Sequence, residues 1–137
     1  MAYGTNVGQD FTLEAAADLS AKQFFFVKVD SAGKAALATA AAGEAVFGVL
    51  QNDPTAGQAA SVRTAGETQV AAGGTFAAGD KLSADANGRA VKYTPATVYT
   101  GTPYTVSGTM VLGIALTAGA SGGTIATMLF DPQGFSS

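Results

Sequence analysis

Within residues 44–93, EAVFGVLQNDPTAGQAASVRTAGETQVAAGGTFAAGDKLSADANGRAVKY, short apolar runs are broken by turn formers roughly every six to ten positions. Val46, Phe47, Val49 and Leu50 form one run, which Asn52-Asp53-Pro54 and Gly57 end. Ala60, Val62 and Thr64 alternate until Ala65-Gly66-Glu67 interrupts them. Gln69 to Ala72 stops at Gly73-Gly74, and Phe76 leads into Ala78-Gly79-Asp80. Leu82 and Ala84 lead into Asp85-Ala86-Asn87-Gly88, and Ala90, Val91 and Tyr93 follow. Closely spaced short strands punctuated by Gly, Pro, Asn and Asp predict an all-β sandwich or barrel, jelly-roll-like in build. Asn87-Gly88 suits a two-residue hairpin turn, because both positions tolerate positive φ.

The flanking segments fit the same class. Residues 24–30, FFFVKVD, make the strongest strand, with Phe25, Val27 and Val29 on one face and Phe24, Phe26 and Lys28 on the other. Aromatics on both faces predict burial on both sides at its start. Ser31 to Lys34 form a turn, and Ala35 to Ala38 a weak return strand. Residues 11–15 read as a strand, although Glu14 to Ala17 favour helix and Thr12 or Asp10 offers a cap. Thr39 to Gly43 form an Ala-rich connector. Residues 94–108 read as a protruding hairpin carrying Tyr99 and Tyr104, with two Pro that suit an edge. Residues 110–116 form a buried strand, and a Gly-rich turn leads to the last strand, 124–130. Val46-Phe47-Gly48-Val49 and Val111-Leu112-Gly113-Ile114 each place a Gly inside an apolar strand, which marks a bulge or a close backbone approach. The ends are an extended arm over 1–10 and a loop-like tail over 131–137; the body between them, 11–130, is one β domain.

The 137 residues suit one domain, burying roughly two thirds of the unfolded surface. The hydrophobic share of 47% overstates the core, since 29 of those residues are Ala, which buries little area. Packing falls to eight Phe, four Tyr and the aliphatics. So thin a core predicts further burial against a partner. Charge is sparse, with a net −3 and no Lys/Arg run, which argues against an electrostatic grip on nucleic acid. No apolar stretch approaches the roughly 20 residues of a membrane span, and no basic leader precedes an apolar block.

Without Cys or His, disulfides, thiolate or imidazole metal ligands, and imidazole base catalysis are excluded. Gly119 to Thr124 lacks the following helix and the Lys of a phosphate cradle, so it reads as a turn. Asp80, Asp85 and Asn87 miss the alternating oxygens and late Glu of a calcium loop and read as turn formers. No Ser or Thr has an evident activator, and Glu14, Glu44 and Glu67 read as solvated carboxylates. The residues therefore predict a non-enzymatic chain with no cofactor and no metal.

Three segments, GVLQNDPTAGQAASVRTAG (48–66), VAAGGTFAAGDKLSADANGRAV (70–91) and VLGIALTAGASGGTIATMLF (111–130), resemble the capsid cement or head decoration proteins of tailed bacteriophages. The shared features are an ordered series of turn and strand motifs over about two thirds of the chain. Residues 94–108 are longer than the family's usual connection. The resemblance implies a structural virion protein, made in the host cytoplasm. It would sit on the outer capsid surface as a homodimer or homotrimer across junctions between major capsid protein subunits and stabilise the shell. Contacts are expected from the arm through Tyr3, Val7 and Phe11, from Tyr99 and Tyr104 on the hairpin, and from Phe135 in the tail. Two other readings stay open: another β-rich virion component, such as a tail tube or fibre-base module, and a carbohydrate-binding β-sandwich, which the absence of Trp weakens.

Overall fold

Nine antiparallel strands curl into a half-barrel in the computed structural model, which describes residues 9–41, 44–94 and 110–134. They are β1 (Gln9–Glu14), β2 (Phe26–Val29), β3 (Ala35–Leu37), β4 (Val46–Leu50), β5 (Ala59–Ala71), β6 (Lys81–Ala84), β7 (Ala90–Lys92), β8 (Val111–Ala115) and β9 (Ile125–Gly134). The order across the sheet is β3-β2-β4-β5-β9-β8-β6-β7, with β1 pairing β5 off that path. The all-β class predicted from turn spacing is the class observed.

Strand β5 joins the two halves of the molecule. The expected break at Ala65-Gly66-Glu67 does not occur: β5 runs 13 residues without interruption. Gly66 takes φ of +106°, so the strand bends there and continues. Before the bend β5 pairs with β4 and β1; after it, with β9. A local turn signal therefore redirects the strand instead of ending it.

The sheet encloses two apolar clusters. The larger holds Phe26, Val70, Leu82, Leu112, Met128 and Phe130, with the Phe26 and Phe130 rings 6.1 Å apart. The smaller holds Leu19, Val27, Leu50, Val62 and three alanines, with Leu13 and Phe47 packed on it. Phe26 and Val27 go to different clusters, so the start of β2 is buried on both sides as its aromatics predict. The strand is shorter than 24–30, because Phe24 takes φ of +71° and cannot extend it.

The two glycines that the sequence places inside apolar strands, Gly48 and Gly113, both mark close approaches. A Cβ on Gly48 would collide with the Arg63 carbonyl and Val62, and one on Gly113 with the Leu129 carbonyl. Each lies beside a register shift, in the β2–β4 and β8–β9 pairs respectively.

Three further boundaries differ from expectation. β1 begins at Gln9, inside the expected arm, and β9 continues through Pro132 to Gly134, inside the expected tail. The β6–β7 turn is wider than two residues. Ala84 pairs with Ala90, and the Asp85 carboxylate accepts the Asn87 and Arg89 amides at 2.8 and 2.9 Å. Asp80 likewise accepts the Ala77 amide at 2.9 Å. Both aspartates thus act as the turn formers their spacing implies.

Candidate interaction surface

Strand β1 is an edge strand. Ala15 donates its amide to the Gln58 carbonyl at 2.8 Å, and Ala16 donates to Ala35 on the opposite side at 2.8 Å. By strand alternation Phe11 and Leu13 face β5, while Asp10, Thr12 and Glu14 turn their N–H and C=O outward. Among the described residues no strand pairs with that outer edge at Asp10 and Thr12, whereas at its C-terminal end an isolated parallel bridge joins Ala15 to Ala35 of β3.

Two ion pairs hold β1 in place. Asp10 lies opposite Arg63 in register. The guanidinium grips the carboxylate through Nε–Oδ1 at 2.8 Å and Nη2–Oδ2 at 3.1 Å. Its Nη1 donates to the Glu67 carbonyl at 3.0 Å. The Arg63 hydrogen bond holds the Asp10 carboxyl below its ordinary value, against a smaller opposing effect of burial. Asp10 in turn raises Arg63. At the far end Glu14 meets Lys34 at 3.3 Å, and Thr64 Oγ1 donates to the Gln9 carbonyl at 3.0 Å. The Asp10 and Gln9 contacts lie at the N-terminal end of β1 and the Glu14 contact at its C-terminal end.

Of the residues the sequence picks out, Phe11 is on this strand. It is 46% exposed and meets Phe47 edge-to-face, with centroids 5.7 Å apart and planes at 66°. The pair forms an aromatic shelf on β1 and β4. Tyr3, Val7, Tyr99, Tyr104 and Phe135 lie outside the described residues.

Sequence reasoning missed two features. Glu44 is not a solvated carboxylate: its side chain is 6% exposed and meets Lys28 at 3.1 Å. It accepts the Thr39 amide, the Thr39 hydroxyl at 2.9 Å and the Ala40 amide at 2.9 Å. Burial pushes its pKa up, but these hydrogen bonds and Lys28 outweigh it and leave the group below its ordinary value. Nothing local in the sequence announces a contact with Lys28. The second feature is an aliphatic face. Ile114, Leu116, Ile125 and Leu129 supply four of the six large hydrophobics exposed among the described residues. The period-2 pattern of TIATMLF places Ile125, Thr127 and Leu129 on one face, and that pattern was the available signal.

A partly open strand edge, an aromatic shelf and an aliphatic sheet face define a small all-β protein whose distinctive features are exposed apolar and hydrogen-bonding surfaces. The chain belongs to the phage cement protein family, whose model matches residues 4–130. It is a structural virion protein associated with the phage capsid. The fold is similar to the crystal structure of the head fiber gp8.5 N base of bacteriophage phi29, at 22% identity and a TM-score of 0.56. That likeness covers 91% of this chain and 95% of the other. No curated protein sequence matches the chain.

Proposed function

We propose that the protein binds the outer surface of an assembled capsid, bridges junctions between major capsid protein subunits and stabilises the shell against expansion. The observation that carries this reading is β1: a clamped strand with an open hydrogen-bonding edge and a half-exposed Phe11 at the root of the arm. Such an edge accepts a strand from a neighbouring protein, with main-chain bonds giving affinity and the aromatic pair giving register. In this reading Tyr3, Val7 and Phe11 engage the shell, and Tyr99, Tyr104 and Phe135 extend the footprint. Copies of the chain associate with one another on the lattice, so that repeated modest contacts add up.

Purified protein is added to undecorated shells and co-sedimented. Saturable binding and a raised temperature of shell rupture are expected. Background-level binding removes the reading. The fold likeness to a head fiber base favours a second reading, in which the domain anchors a projecting appendage. Electron microscopy of particles separates the two, since low density flush with the shell supports cement and a protruding stalk supports the base.

A further inference from the structure

The aliphatic face has charges at its two ends. Lys81 on β6 pairs in register with Ile114 on β8, Ile114 with Leu129 on β9, and Leu129 with Glu67 on β5. Residues directly opposite across paired strands share a face. One transverse row therefore reads cation, Ile114, Leu129, anion. Leu116, Thr127 and Ile125 continue the uncharged surface beside it, with the Leu116 amide bonded to the Thr127 carbonyl at 2.8 Å. Lys81 is exposed and Glu67 half-buried. Among the described residues neither forms a salt bridge, whereas Asp10, Glu14, Glu44, Asp80 and Asp85 all do.

We propose that this face is the contact through which copies of the chain associate, with Lys81 of one copy opposite Glu67 of the next. A row with opposite charges at its ends and apolar residues between is complementary to itself when reversed. A two-fold axis lying between the copies and parallel to the strands performs that reversal. It stacks the two sheets in the aligned manner, about 10 Å apart. Rotation about an axis across the strands sets Lys81 against Lys81 and is disfavoured. Three copies around an axis along the strands also place each Lys81 edge beside a Glu67 edge, so the same row serves a dimer or a trimer. The shell keeps β1 and the arm, on a separate part of the sheet. The proposal takes from the functional reading only that copies meet, and it is measured on free protein without shells, so either stands or falls alone.

Size-exclusion with light scattering on the full chain is expected to show a dimer or a trimer. Lys81→Glu and Glu67→Lys each place like charges together and should weaken association by about tenfold or more. The double variant Lys81→Glu/Glu67→Lys restores opposite charges and should return to within about threefold of the parent. Mixing the two single variants restores a two-fold pair fully but a ring of three only in part. A monomeric parent overturns the proposal. So do folded single variants that associate like the parent, or a double variant that stays dissociated.

Discussion

Replacing Arg63 by alanine should free the N-terminal end of β1 while the rest of the sheet stays closed. The side chain supplies two bonds to Asp10 and one to the Glu67 carbonyl. The ion pair is partly open to water, with side-chain exposures of 25% and 40%. Screening therefore limits the pair itself to about 1 kcal/mol. The forked geometry and the third bond bring the total loss to about 1–2 kcal/mol. Gln9 to Thr12 are exposed, so this loss falls on local opening of β1 and not on the cores. A loss of that size raises the opening equilibrium roughly 5- to 30-fold. Amide hydrogen exchange read by mass spectrometry resolves it: β1 peptides should exchange faster, and β8 and β9 peptides at the parent rate. Acidity probes the same contact. A carboxyl held below its unfolded value stabilises the fold above that value and loses the effect as pH falls through the folded one. In the parent, β1 should therefore loosen as pH falls below Asp10's ordinary 3.8, and Arg63→Ala should largely lose that dependence. Parent-like exchange of β1 in the variant, or equal acceleration in β9, would show that the clamp is not what holds the strand.

Three further outcomes follow from the same geometry. Glu44→Gln weakens a set of charge-assisted bonds and leaves Lys28 unpaired, so about 2 kcal/mol and roughly 6–10 °C of melting temperature should be lost, read by thermal denaturation. Gly113→Ala drives a Cβ into the Leu129 carbonyl and should cost at least about 3 kcal/mol in a denaturant melt, whereas Gly122→Ala, at φ of +100° with open space around it, should cost about 1–2 kcal/mol. Phe11→Ala removes the edge-to-face contact with Phe47 and should cost about 1 kcal/mol in the free protein but more than tenfold in shell affinity, measured by co-sedimentation.

How much of this was legible in the sequence depends on the range of the interactions that decide it. β4, β6, β7 and β8 fall where apolar runs and turn residues put them, because those signals act within a few residues. The close approaches at Gly48 and Gly113 were visible for the same reason: an apolar strand that omits one side chain has a backbone pressed against it. Gly66 misled because positive φ serves a bend inside a strand as well as a turn between strands, and pairing with β9 decides between them. Glu44 misled because its partners Lys28 and Thr39 reach it only once β2 and β4 are paired. The aromatic shelf was half legible. Phe11 fell on the strand expected over 11–15, but Phe47 became its partner through β5, which pairs with both β1 and β4.

The two clusters explain why a chain with 29 alanines in 137 residues holds together and still has surfaces left for contact. The bulky side chains concentrate under β5, β6, β8 and β9, where Val70, Leu82, Leu112, Met128 and Phe130 meet. That half is closed enough for its outer face to carry exposed Ile114 and Leu129 without losing its own packing. Under β1 the cluster is small, with Ala15, Ala35 and Ala60 among its members, and β1 is held by ion pairs and one row of hydrogen bonds. An edge strand resting on so little apolar area gains in proportion when a second protein covers it. In the proposed reading, the economy that leaves β1 weakly packed is thus the same property that would let a partner stabilise it. Association would stabilise the bound form by mass action, by an amount set by the partner's concentration relative to its Kd.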